Sequence, residues 1–351
     1  MQKMHRKSNE DRGTLRALGV VLSLAMLAGC SVNPLHRMTG DVMSSYAEQE
    51  NTPYVLAMTD IKMACALGES VDPLLYSFGR VTQTPEKTGV LMQGLSGICG
   101  ERDAVAEELR YLRAEYHGNI PQMRDARESM QREYAVTAER RLDGYRRMLR
   151  GFNYDPKPGA ACPTFYTDQD EITFLIGLAS GAQALMNDGK SRGRANVPRD
   201  IAAQVERSAD CVSNEKWAGL PDALRASVWV LLPDLRPNDN VDPWKVLAAS
   251  RELSVERGIR MAAALEVVMA ENVGREDVIR ESLAHLAETR ERFDVNPQYS
   301  MPDRASMMAI RGVSDRLWTK QYGYRTPADK FGSLSPESET SKDSVDTEGL
   351  L

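Results

Sequence analysis

Apolar side chains recur along most of the chain at intervals of three and four residues. Val105, Leu109 and Leu112 follow this spacing, which places them on one face of an α-helix. The sequence has no sustained alternation of apolar and polar residues between hairpin turns, the pattern that is typical of strands. The pattern therefore predicts an all-α fold.

Proline and glycine divide this pattern into about a dozen helices. The helices follow one another at spacings near those of tetratricopeptide (TPR) proteins, although no clean copy of the TPR signature occurs. We therefore expect irregular, TPR-like antiparallel helical hairpins. Three prolines and two glycines interrupt the pattern within residues 151–167, so a division into two helical halves is an open alternative. The expected organisation is a signal peptide at 1–29, a lipidated tether at 30–52, an N-terminal helical region at 53–150, a Pro-rich linker at 151–167, a C-terminal helical region at 168–331 and a disordered acidic tail at 332–351.

Several residues carry local expectations about helix ends and helix packing. Asp72 before Pro73 predicts the start of a helix at Leu74. Asp168, with Glu171 three residues later, predicts a capping box. The small residues at positions 177–181 should let a second helix approach closely. Asp242 is expected to cap the helix that follows it.

The first thirty residues have the composition of an export signal. A basic stretch precedes an uncharged apolar run at residues 17–28, and Gly29 and Cys30 follow. This order is typical of a secretory signal, and the run is shorter than the ~20 apolar residues that a membrane-spanning helix needs. The sequence therefore predicts a protein exported from the cytoplasm.

Residues 27–30, Leu-Ala-Gly-Cys, resemble the lipobox of bacterial lipoproteins. The resemblance implies that the Cys30 thiol is diacylated and that cleavage makes Cys30 the first residue of the mature chain. Several acyl chains would anchor the protein stably in a membrane. Ser31 stands where an aspartate would signal retention in the inner membrane, which favours the periplasmic side of the outer membrane. An ordinary secreted protein is the alternative.

Charge and cysteine content agree with this location. Removal of residues 1–29 takes away five basic and two acidic residues, so the net charge changes from −6 to −9, which argues against nucleic-acid binding. Cys65, Cys99, Cys162 and Cys211 remain, an even number that indicates disulfides in an oxidising compartment. Three pairings are open; we favour Cys65–Cys99 and Cys162–Cys211 because each bond stays within one half of the chain. No CxxC pair or neighbouring histidine supports a zinc site.

Three segments resemble known catalytic or metal-binding motifs, and each lacks residues that its motif requires. Residues 184–191 lack the first glycine of a Walker A loop and lie in a predicted helix. Residues 94–98 miss the nucleophile-elbow spacing, and residues 238–249 lack the glycine and the final glutamate of a calcium loop. We therefore expect no enzyme activity, no cofactor and no metal site, with an enzyme that acts on envelope polymers as the least favoured alternative.

Two groups of basic residues are candidate docking surfaces for anionic lipid headgroups or an acidic partner. The alternative interpretation is cations that stabilise a helix C-terminus, together with a solvated loop. The first group is Arg140, Arg141, Arg146, Arg147 and Arg150, and the second is Lys190, Arg192, Arg194 and Arg199.

The chain as a whole resembles the TatT-type T component of TRAP transporters. The likeness rests on residues 27–30, 38–46 and the helices of residues 101–150, and extends diffusely over 38–320. It implies an extracytoplasmic lipoprotein of TPR-like hairpins that associates with the transporter's solute-binding subunit and helps to pass small carboxylate-bearing or hydrophobic ligands. The Pro-rich linker, the four additional cysteines and the acidic tail depart from the family, so the oligomeric state and a through-pore stay open.

These observations favour a non-enzymatic envelope lipoprotein that acts as a helical binding or adaptor module, associated with a TRAP-type solute uptake system. The expected partners are the membrane, through the lipid anchor, and a periplasmic or envelope protein such as a solute-binding protein. A structural adaptor for outer-membrane or cell-wall assembly is the alternative function.

The lipid anchor makes a direct prediction. Cys30→Ser removes the thiol that carries the acyl chains, so the variant should be unlipidated and should lose membrane fractionation and palmitate labelling. Unchanged fractionation together with unchanged labelling would contradict the assignment.

Overall fold

Every regular element that the structure, a computed structural model, describes within residues 33–336 is helical. This confirms the predicted all-α class. No helix in this range is long and apolar enough to cross a membrane. The signal peptide, Cys30 and residues 337–351 lie outside the described residues. The helices are α1 (Pro34–Tyr46), α2 (Thr52–Ala57), α3 (Ile61–Ser77), α4 (Glu86–Tyr116), α5 (Ile120–Gly151), α6 (Asp168–Ser191), α7 (Ile201–Ala209), α8 (Leu220–Leu231), α9 (Pro243–Glu256), α10 (Met261–Asn272), α11 (Glu276–Glu288) and α12 (Ser300–Tyr322).

The long helices α4 and α5 form an antiparallel hairpin. Gly118, at a φ of 68°, makes the turn, and the Asn119 side chain caps α5 by accepting the backbone N–H of Gln122 at 3.2 Å. A Cβ atom on Gly97 of α4 would collide with the Arg141 side chain of α5. Glycine at this position therefore lets the two helices approach closely.

Helix α6 packs on α5 in the same way. A Cβ atom on Gly177 would collide with Met148, and one on Gly181 would collide with Tyr145. The close approach predicted for residues 177–181 is thus confirmed, and α5 is its partner. The result is a group of three mutually packed helices, α4, α5 and α6, in which α5 packs closely on both of the others.

The Pro-rich segment 151–167 is packed against the core. Phe152 and Phe165 contact Phe174 of α6 edge to face, with ring centroids 5.4 and 5.1 Å apart. The largest apolar cluster contains residues from Ala47 to Leu224, together with Met301, and so includes residues on both sides of this segment. The core therefore does not divide at the predicted linker.

Both cysteine pairs that we favoured lie at bonding distance. Cys65 of α3 joins Cys99 of α4, and Cys162 joins Cys211, with Cα atoms 5.4 Å apart in each pair. The second pair ties the Pro-rich segment to the end of α7. In the loop-entropy account, disulfides of this kind stabilise the fold by constraining the unfolded chain.

Asp72 does not cap a helix, contrary to expectation. Helix α3 continues through Pro73 to Ser77, and the buried Asp72 carboxylate accepts hydrogen bonds from Nη1 and Nη2 of Arg147 at 2.7 and 3.1 Å. Burial raises the pKa of Asp72, and the Arg147 charge offsets only part of this rise. Asp72 therefore serves as the buried ion-pair partner of Arg147 and not as a helix cap.

Two other capping expectations have different outcomes. The first hydrogen bond at α6 comes from Thr167, whose Oγ1 accepts the Asp170 N–H at 3.1 Å, so Asp168 is the first helical residue and not the cap. Asp242 does cap α9, because its carboxylate accepts the Trp244 N–H at 2.9 Å.

The final described residues pack on the second half of the fold. Leu334 is buried in the apolar cluster of α10, α11 and α12, and Nε1 of Trp318 donates to the Ser333 carbonyl oxygen at 2.9 Å. The expectation of a disordered tail from residue 332 is therefore wrong for 332–336. Leu334 supplies an apolar contact that the acidic composition of the tail concealed.

Removal of the Asp72 carboxylate should strongly destabilise the protein. Asp72→Ala removes the buried bidentate partner of Arg147 and leaves this guanidinium only the partly exposed Asp143, so we expect a loss of about 3 kcal/mol in the free energy of unfolding. Glu69→Ala is the matched control, because its partner Arg140 is partly exposed and the expected loss is below about 1 kcal/mol. Urea unfolding of the oxidised protein measures both, and equal losses would contradict the prediction.

Candidate ligand-binding cleft

A cleft of about 850 Å³ lies between two groups of helices, α4–α6 on one side and α10–α12 on the other. This volume is within the range of about 300–1,000 Å³ that is usual for small-molecule sites. The close packing of α4, α5 and α6 makes the first wall. The α10 and α12 helices, which share the second apolar cluster, make the facing wall.

A network of charged side chains forms the floor of the cleft. The Tyr134 hydroxyl donates to Oε2 of Glu108 at 2.6 Å, and Nζ of Lys190 lies 3.3 Å from the same oxygen. From the facing wall, Nε of Arg316 approaches Oε2 of Glu108 to 3.6 Å and donates to Oε1 of Glu271 at 2.6 Å. These contacts connect α4, α5 and α6 to α10 and α12.

Burial and charge set the ionisation of this floor. Burial alone would raise the pKa of Glu108, but the charges of Lys190 and Arg316 outweigh it and the pKa is lowered. Burial, with the adjacent Glu108 charge, raises the pKa of Tyr134 far above its usual value. Glu108 is therefore a carboxylate and Tyr134 a neutral hydrogen-bond donor at neutral pH.

The walls above this floor are apolar and only partly covered. Their side chains are half-buried, so a bound molecule could remove them from water. Methionines contribute much of this surface, and their flexible, polarisable side chains adapt to ligands of different shape. The wall residues are Val105, Met186, Met261, Leu265, Val268, Met307 and Met308.

Arginines surround the opening. Arg290 and Arg304 are exposed, and neither makes an ion pair or a side-chain hydrogen bond with any part of residues 33–336. Arg311 stacks on Phe331, with its guanidinium 5.7 Å from the ring centroid, and Nε of Arg325 stays 3.9 Å from Asp315. Arg290, Arg304 and Arg311 are therefore available to an anion at the rim, whereas Arg325 is paired with Asp315.

The charge of the cleft lining is opposite in sign to that of the chain. Eight basic residues and four acidic residues line it, whereas the whole chain has a net charge of −6. A positive cleft in an acidic protein concentrates anions at that place. The basic residues are Arg102, Lys190, Arg260, Arg290, Arg304, Arg311, Arg316 and Arg325, and the acidic residues are Glu101, Glu108, Glu271 and Asp315.

The first basic group proposed from the sequence is not a docking surface. Arg141 and Arg147 are only 4% and 3% exposed because they lie over glycines of α4 and pair with Glu101 and Asp72. Arg140 and Arg150 bind Glu69 and Glu86. Arg146 is the exposed member with no side-chain partner among the described residues.

The second basic group is divided between the cleft and the surface. Lys190 belongs to the cleft floor. Arg194 donates to Glu128 and Gln131 of α5 at 3.1 and 2.8 Å, while Arg192 and Arg199 are exposed. Of all nine basic residues proposed from the sequence, only Lys190 lines the cleft.

Sequence reasoning missed Arg290, which follows α11, and the arginines of α12. Arg304, Met308 and Arg311 are spaced four and three residues apart, so they share one helix face. That spacing could have indicated a face with both apolar and cationic character. Its orientation toward Lys190, more than a hundred residues earlier in the chain, has no signal in the sequence.

The incomplete motifs fall inside helices. Residues 184–191 belong to α6 and residues 94–98 to α4, so neither segment forms the loop that a phosphate site or a nucleophile elbow requires. Within residues 33–336, no group of three or more histidine, cysteine, aspartate or glutamate side chains is arranged to hold a metal ion.

Comparison with known proteins adds no relative: no protein-family model, curated protein or solved structure matches this chain. The function is therefore inferred from the cleft and the sequence.

The lowered pKa of Glu108 has a consequence for stability. An acid whose folded-state pKa lies below its unfolded value stabilises the fold above that unfolded pKa, and the contribution is lost as pH falls through the folded pKa. Glu108→Gln should therefore weaken the fall in unfolding free energy between neutral pH and about pH 3. Glu107→Gln, next in the chain and paired with the partly exposed Arg110, controls for the loss of one charge. Identical pH dependence of the two variants in urea unfolding would contradict this role.

Proposed function

We propose that this protein is a lipid-anchored, non-enzymatic envelope protein that binds an amphipathic anion in the cleft between α4–α6 and α10–α12. The observation that carries the proposal is the combination of half-buried apolar walls with two rim arginines, Arg290 and Arg304, that pair with no acidic side chain of residues 33–336. The proposed ligand class is a molecule with a carboxylate or similar anionic group and an aliphatic body.

The apolar walls account for the aliphatic part of the ligand. Met186, Leu265 and Met307 belong to a half-buried surface of the cleft, and a ligand chain would cover it. Burial of apolar surface stabilises a complex by roughly 25 cal/mol per Å² before the costs of association. The charged side chains of the floor pair with one another, so a ligand that lies on the apolar walls breaks no internal ion pair.

The rim accounts for the anionic group. A guanidinium presents a planar pair of donors that matches a carboxylate in a bidentate arrangement. Arg290 and Arg304 have no internal acidic partner within residues 33–336, so a ligand would not have to displace one. Because both are exposed, the attraction should weaken as salt concentration rises.

The proposed location comes from the sequence features of residues 17–30. A lipid anchor on Cys30 would keep the cleft at the membrane surface of the envelope. The ligand chemistry of the cleft agrees with that of the TRAP-type systems that the chain resembles, and this supports a role beside a periplasmic solute-binding protein. In-cell crosslinking followed by mass spectrometry tests the partnership, and recovery of cell-wall or outer-membrane assembly proteins instead would favour the adaptor alternative.

Calorimetric titration tests the ligand class. Dodecanoate should bind more tightly than the uncharged dodecanol, and the double variant Arg290→Gln/Arg304→Gln should lower the affinity for dodecanoate by about tenfold, the effect of about 1.4 kcal/mol. Arg146→Gln, an exposed arginine of α5 outside the cleft, is the matched control and should leave the affinity unchanged.

The apolar wall is tested separately. Leu265→Asn should lower the affinity for both dodecanoate and dodecanol, because it replaces aliphatic surface that both chains would cover. An unchanged unfolding midpoint of the variant verifies that its fold is intact. Absence of binding of both compounds to the original protein would overturn the proposed ligand class.

A further inference from the structure

Helix α1 shows the reverse of the usual surface-helix arrangement. Gly40 is its buried residue, and a Cβ atom there would press on the Thr82 side chain. Leu35, Met38 and Val42 are spaced three and four residues apart and form a stripe on the opposite side of the helix. The apolar face of α1 therefore points away from the protein.

This stripe is well exposed. Leu35, Met38, Val42 and Tyr46 keep 61%, 59%, 61% and 59% of their surface accessible. Of the seventeen exposed large hydrophobic side chains in residues 33–336, nine lie between Leu35 and Tyr76. An exposed apolar face of this kind marks a surface that another apolar body covers.

The short distance along the chain from Cys30 to α1 indicates that the membrane is the apolar body that covers the stripe. Helix α1 begins at Pro34, and the Asn33 side chain caps it by accepting the Leu35 N–H at 3.0 Å. The four steps from Cys30 to Pro34 span at most about 14 Å even when fully extended. Acyl chains on Cys30 would therefore bring α1 to the membrane surface whatever the path of residues 31–33.

We propose that α1 lies in the plane of the membrane surface that the Cys30 acyl chains enter, with Leu35, Met38 and Val42 at the boundary of headgroups and acyl chains. Interfacial amphipathic helices bind membranes in this way, and Tyr46 has the amphipathic ring that suits the interface. This inference rests on the lipid anchor of the proposed function and is independent of the ligand in the cleft.

The other face of α1 links the membrane to the body of the protein. Gly40 packs on Thr82, and the Thr82 hydroxyl donates a hydrogen bond to Asp41. A helix that is held on one face by the membrane and on the other by the protein restricts the orientation of the body. The mature protein would then stand at a preferred angle on the membrane, rather than move freely on a flexible tether.

A second copy of the chain fits this face less well. Helix α1 has thirteen residues, so it is about 20 Å long and about 10 Å wide. One face of such a helix offers far less than the roughly 800 Å² that each partner contributes to a standard interface. Binding to a membrane does not require a contact area of this size, because the acyl chains add their own binding energy.

Site-specific labelling of the lipidated, full-length protein tests the inference. The other four cysteines of the mature chain are disulfide-paired and acylation consumes the Cys30 thiol, so one introduced cysteine carries a polarity-sensitive fluorophore. Met38→Cys and Val42→Cys place the label on the exposed stripe. His36→Cys and Arg37→Cys, on the same helix but toward the side of Gly40, are the matched controls.

The label is measured in vesicles of phosphatidylethanolamine and phosphatidylglycerol that contain brominated lipid as a quencher. We expect labels at positions 38 and 42 to be quenched at least about twofold more strongly than labels at 36 and 37. Equal quenching at all four positions in an anchored protein overturns the inference. A blue-shifted label at 38 and 42 without vesicles also overturns it, and indicates that a second copy covers the stripe.

Flotation and palmitate labelling of the same samples separate the two proposals. Loss of both shows that the lipid anchor is absent, which overturns the anchor and the inference that rests on it. Normal flotation with equal quenching overturns only the placement of α1. Near-UV circular dichroism of each variant, expected to match that of the original protein, verifies that the four exposed positions tolerate the label.

Discussion

The close packing of α5 between α4 and α6 is the constraint on which the rest of the structure depends. Glycines on both neighbours leave room for large side chains of α5, so Arg141 lies over Gly97 and Met148 over Gly177. Arg141 then reaches the Gly94 carbonyl oxygen at 3.1 Å as well as Glu101, which satisfies its charge inside the protein. A larger residue at either glycine would push the helices apart and leave buried charges without partners.

This packing also places the floor of the cleft. Glu108, Tyr134 and Lys190 come from α4, α5 and α6, and they meet within hydrogen-bonding distance because the three helices are close. Arg316 brings the second half of the fold to the same carboxylate. The floor is internally neutralised, whereas Arg290 and Arg304 at the rim have no acidic partner among the described residues, so the cleft combines a fixed polar base, apolar walls and a cationic opening.

The protein thus has two exposed surfaces of different chemistry. The cleft is apolar and cationic, as suits a small amphipathic anion. The outer face of α1 is apolar and almost uncharged, as suits a membrane, and it begins four residues after the cysteine that the sequence marks for acylation. Both surfaces belong to an acidic chain, so the positive charge of the cleft is local and does not extend to the protein as a whole.

The sequence alone determined the features that depend on local order. Apolar spacing predicted the helices, and separation along the chain was enough to favour Cys65–Cys99 and Cys162–Cys211. Export from the cytoplasm and acylation of Cys30 stay predictions from the sequence. Only the tertiary structure decided which charges are buried: Asp72 looked like a helix cap and Arg147 like a surface cation, yet they are partners across 75 positions. The cleft, too, required the whole fold, because Lys190, Arg304 and Glu108 line one cleft only when distant helices pack together. Helix formation depends on neighbours a few residues away, whereas the burial and pairing of a charge depend on residues that only folding brings close.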